Sequence, residues 1–338
     1  MLKDREGNVI TISKKTENQH IKVLGRSGCG KTFWVCHYIE EKMKDQNFLI
    51  LDFSGSYTES ELDKNRFLPV KREHFQSYNL KEHGMDLVLN RKYAVDIITD
   101  SILAALQIRS LYQKPILREA CERTFEKHTY FSFEVLYEMI CKLQRLKENT
   151  DIVKHSRVLM ERMDLLKDVD TLHIGFGEKS VIPMNGIIEV SDFPSRKRML
   201  LSQILLEIFW GMIRHDPVED LHIVLDEFQL LRLKGSAIEA MLREGRKFQV
   251  GLILLTQYLK PDNIDLLEQA ATALYFRPND RNLKCVAQML NPIEDKLWVP
   301  MLKNLQIGQC IMDGKFEVNG KEARNCRPVI CNVNVPEQ

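Results

Sequence analysis

The sequence predicts an α/β fold with a mostly parallel central sheet, an inserted helical subdomain and β-hairpin elements at the C-terminal end. Three observations predict it. First, HIKVLGRSGCGKTFWVCHYIEEKM (20–43) reads as apolar strand, glycine-rich loop and helix, and FLILD (48–52) follows as a second strand. Doubly wound sheets begin with such a strand–loop–helix–strand unit. Second, apolar strand-like runs return at GIIEV (186–190), LHIVLDE (221–227), VGLILLTQ (250–257) and TALYF (272–276). Third, the stretch between these two groups of strands is helical in its periodicity.

Taken in order, residues 1–20 form a short hairpin, because GNVITI is β-like and there is no room for a separate domain. Residues 1–92 are then the first part of the core. Residues 93–170 are the insertion, with four amphipathic helices over 94–108, 115–128, 132–146 and 155–169, each carrying apolar residues three and four apart. Residues 171–338 complete the core. A long helix at 196–213 lies between GIIEV and LHIVLDE, and the alternating stretch 302–335 around Gly308, Gly314 and Gly320 reads as closing hairpins.

Composition restricts the function classes. Lys+Arg 48 against Asp+Glu 47 gives a net charge of +1, so any nucleic-acid contact has to be local rather than a basic tail. The eight cysteines form no C-x-x-C pair and the nine histidines form no H-x-x-x-H or H-E-x-x-H pair, which argues for reduced thiols and against a catalytic metal cluster. The N-terminus is charged from its third residue, and the apolar run 199–213 is interrupted by Gln203 and Glu207. The expectation is a cytoplasmic protein with no integral membrane segment.

The chemistry begins with GRSGCGKT. Gly25, Gly28 and Gly30 let the backbone curl so that the loop, with Arg26, Ser27 and Cys29 between them, turns its N–H groups to a phosphate, and the following helix turns its N-terminus to the anion. Lys31 reaches the β- and γ-phosphates as a mobile charge, and Thr32 offers a hydroxyl to Mg²⁺. The substrate and cation are therefore ATP and Mg²⁺. LHIVLDE delivers Asp226 and Glu227 to a strand's C-terminal edge, Asp226 for the Mg²⁺ shell and Glu227 as general base toward water. VGLILLTQ ends in Gln257, a carboxamide placed to sense the γ-phosphate. The strands FLILD and GIIEV fall between loop and acid in the chain, and extra strands there favour hydrolysis over transfer. Arg243, Arg246 and Lys247 in REGRKF, and Arg277 and Arg281 in YFRPNDR, compete as a cation acting on a neighbour's γ-phosphate.

GRSGCGKT, LILDFSGSY, IVLDEFQLL and above all LREGRKFQVGLILLTQ resemble the HerA–FtsK superfamily of ring-forming ATPases, closest to its HerA-like and conjugation-type branches. The resemblance runs from about His20 to Val333. It implies a P-loop RecA-like core assembled as a homo-hexamer with ATP between subunits, pumping double-stranded DNA or powering conjugative secretion. By motif it assigns nucleotide and Mg²⁺ binding to Lys31 and Thr32, the metal-associated acid to Asp226, the catalytic base to Glu227 and the sensor to Gln257. A trans-acting arginine late in the core leaves Arg246 and Arg277 as alternatives. The second-strand motif D-x-x-G-E-Y is met by Asp52, Gly55 and Tyr57, with Ser56 in place of the acid. About twenty residues precede the core, so the expected protein is a stripped motor without an N-terminal barrel. It is expected to rely on a nuclease, relaxase or secretion-channel partner.

Overall fold

The strand-forming runs gather into one thirteen-stranded sheet in the computed structural model, which describes residues 2–64, 75–146, 150–167, 169, 172–323 and 327–333. Its first half contains β1 (Leu2–Lys3), β2 (Val9–Ile12), β3 (Ile21–Leu24), helix α1 (Lys31–Lys42), β4 (Asn47–Asp52), α2 (Glu59–Lys64) and β5 (Gln76–Asn79). The insertion contains β6 (Met85–Asn90), α3 (Ala94–Ala105), α4 (Gln113–Lys127), α5 (Phe133–Leu146), α6 (Thr150–Met163) and β7 (Leu172–Gly177). The chain returns through β8 (Gly186–Glu189), α7 (Ser195–His215), β9 (Leu221–Leu225), α8 (Ala237–Glu244), β10 (Val250–Thr256), α9 (Ile264–Leu267) and β11 (Thr272–Phe276). It closes with α10 (Leu283–Leu290), α11 (Asp295–Lys303), β12 (Gln309–Asp313), β13 (Phe316–Val318), β14 (Lys321–Glu322) and β15 (Val329–Val333).

The strand order is β14-β13-β2-β1-β15-β12-β11-β3-β10-β9-β4-β8-β5. From β11 to β5 every neighbouring pair is parallel, and the remainder is antiparallel. Parallel strands are covered on both faces, so β9 and β10 are buried along their whole length and apolar but for His222 and Thr256. Side chains alternate between the faces. Val224, Ile253, Phe48 and Ile50 join Trp34, Val35 and Ile39 of α1 in one core. Ile223, Leu225, Leu252 and Leu254 face the other core with α7 and the insertion.

This second core holds the insertion to the sheet. Residues Leu201–Ile213 of α7 are buried except Glu207, as suits a helix covered on both sides. A Cβ on Gly211 would lie 2.9 Å from Ile97 of α3, so glycine there is what lets the two helices approach. No helix among the described residues is long and apolar enough to cross a membrane.

Three sequence expectations need revision. The four helices are flanked by β6 and β7, which pair in parallel as a separate two-stranded sheet that the periodicity did not announce. β7 (LHIGFG) carries two glycines and a histidine, and β6 (MDLVLN) is interrupted by Asp86, so neither gives an apolar run like those of β9 and β10. Asp170, the expected boundary, lies outside the described residues. Among the described residues of the C-terminal end, only β13 and β14 form a local hairpin, across Asn319 and Gly320. β12 pairs with β11 and β15 instead of β13, because Gly314 (φ +123°) sends the chain across to β2. Finally, β4 and β8 lie between loop and acid only in the chain. In the sheet they stand beyond β9, and the strand separating β3 from β9 is β10.

Candidate functional site

Because β3, β9, β10, β4 and β11 are parallel, their C-terminal ends share one edge, and the polar residues that follow each strand converge there. The glycine loop leaves β3 clamped between two neighbours. Gly25 N donates to Thr256 O (3.1 Å) and Arg26 N donates to Arg277 O (2.9 Å). A Cβ on Gly25 would stand 2.6 Å from that of Phe276, so this position admits no side chain. Gly28 and Gly30 take left-handed φ values of +70° and +106°, which curls the loop ahead of α1. Lys31 is 6% exposed, and its Nζ donates to the carbonyls of Gly25 (2.9 Å) and Arg26 (3.1 Å). Cys29 is a packing residue: its thiol donates to Arg26 O (2.8 Å), and burial pushes its pKa up.

Asp226 is the first residue after β9 and is 4% exposed. Its Oδ1 accepts from Glu227 N (2.9 Å) and its Oδ2 from Ser54 Oγ (3.0 Å). Burial, and then the neighbouring Glu227 charge, raise its pKa. Glu227 sits at φ +52°, ψ +38°, a left-handed conformation uncommon for a residue with a side chain. Its carboxylate accepts from the carboxamides of Gln257 and Gln229. Gln229 in turn accepts from Thr256 Oγ1 (2.6 Å), tying the acid to the end of β10. Asp52, after β4, accepts from the backbone N–H groups of Ser54, Gly55, Ser56 and Tyr57 at 2.8–3.2 Å. Its burial nevertheless pushes its pKa up to about 6.

These residues line a cavity of about 620 Å³. Gly28, Gly30, Lys31 and Thr32 form one wall, with Asp226, Glu227 and Gln257 facing the same space. Ser54, Ser56, Gln229, Ile307, Gly308 and Val333 were missed by sequence reasoning as site residues. Asp52 followed by SGSY carried a signal, since an aspartate before small residues favours a side-chain-capped turn. Gly308 carried none: its N–H reaches Cys29 O (3.1 Å) only because β12 and β15 fold back beside the loop.

The two candidate arginines separate. Arg277 follows β11 on the same edge as the loop. Arg246 is exposed in a 3₁₀ turn before β10, so the seven-residue length of that strand, about 23 Å, divides it from its own chain's cavity.

The donor set suits a magnesium nucleotide. Among the described residues no group of three or more His, Cys, Asp and Glu side chains could hold a metal by itself. Mg²⁺ is commonly held by one or two carboxylates together with substrate phosphates, which is what Asp226 and Thr32 beside a phosphate loop offer.

No family model matches the chain. It is similar to a probable helicase of Methanocaldococcus jannaschii, 22% identical over 335 residues, covering 89% of this chain and 61% of that protein. The chain thus spans under two thirds of that relative's length. Among solved structures it is similar to VirB4 of Thermoanaerobacter pseudethanolicus, with TM-score 0.68, 16% identity and 98% and 95% of the two chains covered. It is also similar to the bacterial conjugative coupling protein TrwB bound to a non-hydrolysable ATP analogue, with TM-score 0.67, 14% identity and 94% and 86% covered. TrwB has also been solved with ADP and Mg²⁺, and that structure matches at TM-score 0.64 with 13% identity.

Proposed function

We propose that the chain is the ATP-hydrolysing subunit of a HerA–FtsK-type ring motor that translocates double-stranded DNA. Its fold is that of VirB4 and TrwB. The observation that carries the reading is the buried Asp226 beside Glu227, held by two carboxamides at the rim of a phosphate loop. Loop N–H groups and Lys31 bind the phosphates, and Thr32 and Asp226 would hold Mg²⁺. Bound there, Mg²⁺ supplies positive charge against the phosphate oxygens. Glu227 accepts the proton of the attacking water, with Gln257 and Gln229 fixing its carboxylate. In a ring of identical subunits, Arg277 or Arg246 supplies a cation across the interface.

A secretion-type motor moving protein is the second reading, supported by the match to VirB4 over nearly the whole chain and by the near-neutral charge. ATP turnover with and without linear double-stranded DNA separates the two. Strong stimulation supports the DNA motor, and turnover indifferent to DNA supports the protein motor. A protein that stays monomeric with nucleotide and has no turnover contradicts both.

A further inference from the structure

The turn after β4 does more than end a strand. Asp52 gathers four successive N–H groups, and Gly55 (φ +76°) lets the chain reverse around its carboxylate. The result aims two hydroxyls the same way. Ser54 Oγ lies 3.0 Å from Asp226 Oδ2, and Ser56 Oγ lies 2.6 Å from Ser54 Oγ. An ionised carboxylate only accepts, so Ser54 gives Asp226 its single proton, while Ser56 hydrogen-bonds Ser54 and also the Asp226 carboxylate. Hydroxyl chains of this kind strengthen along their length. The other Asp226 oxygen is held by Glu227 N. Oδ1 is thus held by a backbone N–H and Oδ2 by Ser54, Ser56 adds a weaker hydrogen bond to the same carboxylate, and Asp226 and both serines line the cavity.

We propose that Ser54, aimed by the Asp52 turn and backed by Ser56, is the positioning residue for the metal-binding acid. It fixes the carboxylate of Asp226 in the rotamer that receives the cation of a magnesium nucleotide. This rests on the ATPase reading above. In this role Ser54 acts through Asp226. Outer-shell partners of metal ligands commonly change metal affinity about 10–100-fold when removed.

The test is fluorescent-ATP affinity measured twice, with Mg²⁺ and with excess EDTA, together with Mn²⁺ affinity of the nucleotide complex by electron paramagnetic resonance. Ser54→Ala is expected to weaken Mn²⁺ binding about tenfold or more and to shrink the gain in ATP affinity that Mg²⁺ provides. Metal-free ATP affinity falls by less than the Mg²⁺-dependent gain does, and Ser54→Thr, which keeps the hydroxyl, restores the wild-type gain. Unchanged Mn²⁺ affinity in Ser54→Ala overturns the inference. So does a parallel loss of ATP affinity with and without metal, which marks a merely structural role. A wild-type protein that binds no ATP overturns the ATPase reading itself, and this inference with it.

Discussion

The two edges of the parallel sheet are made by the same strands yet treat buried polar atoms in opposite ways. At the C-terminal edge Lys31, Asp52, Asp226, Glu227 and Thr256 all have partners, and Lys31, Asp226 and Glu227 line one cavity, with Tyr57 Oη and Arg198 Nε the unpartnered atoms nearby. At the N-terminal edge, Gln19 Oε1, His20 Nε2, Gln46 Oε1 and His222 Nδ1 are buried without a hydrogen-bond partner in the protein. The cavity there is about 190 Å³. Burial pushes the pKa of both histidines down to about 4, so near neutrality they are uncharged packing groups. The contrast teaches that a buried titratable side chain does not mark a site. Convergence, engaged partners and a cavity together do.

The comparison can be broken most severely at Lys31. Lys31→Ala should weaken ATP binding roughly 100-fold in an equilibrium titration, since charge-assisted hydrogen bonds contribute about 1.5–3 kcal/mol each. An unchanged affinity would remove the phosphate loop from the argument.

A pair of glycines sharpens it next. A Cβ on Gly25 would meet Phe276 at 2.6 Å, and one on Gly251 would meet His222 at 2.6 Å. Either alanine should cost about 1–3 kcal/mol of stability by overpacking. Only Gly25→Ala should also damage ATP affinity. Equal affinities in the two variants, at a temperature where both are folded, would show that the two edges do not differ as described.

The N-terminal edge should report itself through pH. His222 has its folded pKa pushed down to about 4 from an ordinary 6.5. A depressed histidine means that the unfolded chain binds the extra proton. Its contribution is therefore fully present above pH 6.5 and is lost as pH falls toward 4. Denaturant unfolding of wild type and His222→Phe should diverge over that window in the variant's favour, by up to about 3 kcal/mol. A difference that does not change between pH 7 and pH 4.5 contradicts the neutral-packing view of this edge.

The smallest expected effect is at Arg246. Exposed and a strand's length from its own cavity, it should leave ATP affinity of the isolated chain within about twofold when changed to alanine. A large loss of affinity would place it beside the phosphates after all.

Much of the C-terminal edge was legible in the sequence because each of its elements is contiguous. Loop, helix start, acidic pair and Gln257 follow directly from strands that each end in an apolar run. What escaped depends on contacts distant in the chain. Ser54 meets Asp226 from 172 residues away, and Gly308 reaches Cys29 only through the packing of β12 and β15. The order of strands escaped for the same reason: chain order puts β4 and β8 between loop and acid, whereas the sheet puts β10 there. The pairing of β6 with β7 was hidden because it joins strands on either side of four helices, and β7 with its two glycines lacks an apolar run.

The most direct measurement is ATP binding and ATP turnover on the same preparation of Glu227→Gln. The substitution keeps the shape and removes the carboxylate that the carboxamides of Gln257 and Gln229 hold. The expected result is wild-type ATP affinity with turnover reduced about 100- to 10,000-fold, the usual contribution of a general base. Turnover that survives near the wild-type rate would contradict the assignment of this edge as a site of hydrolysis through Glu227.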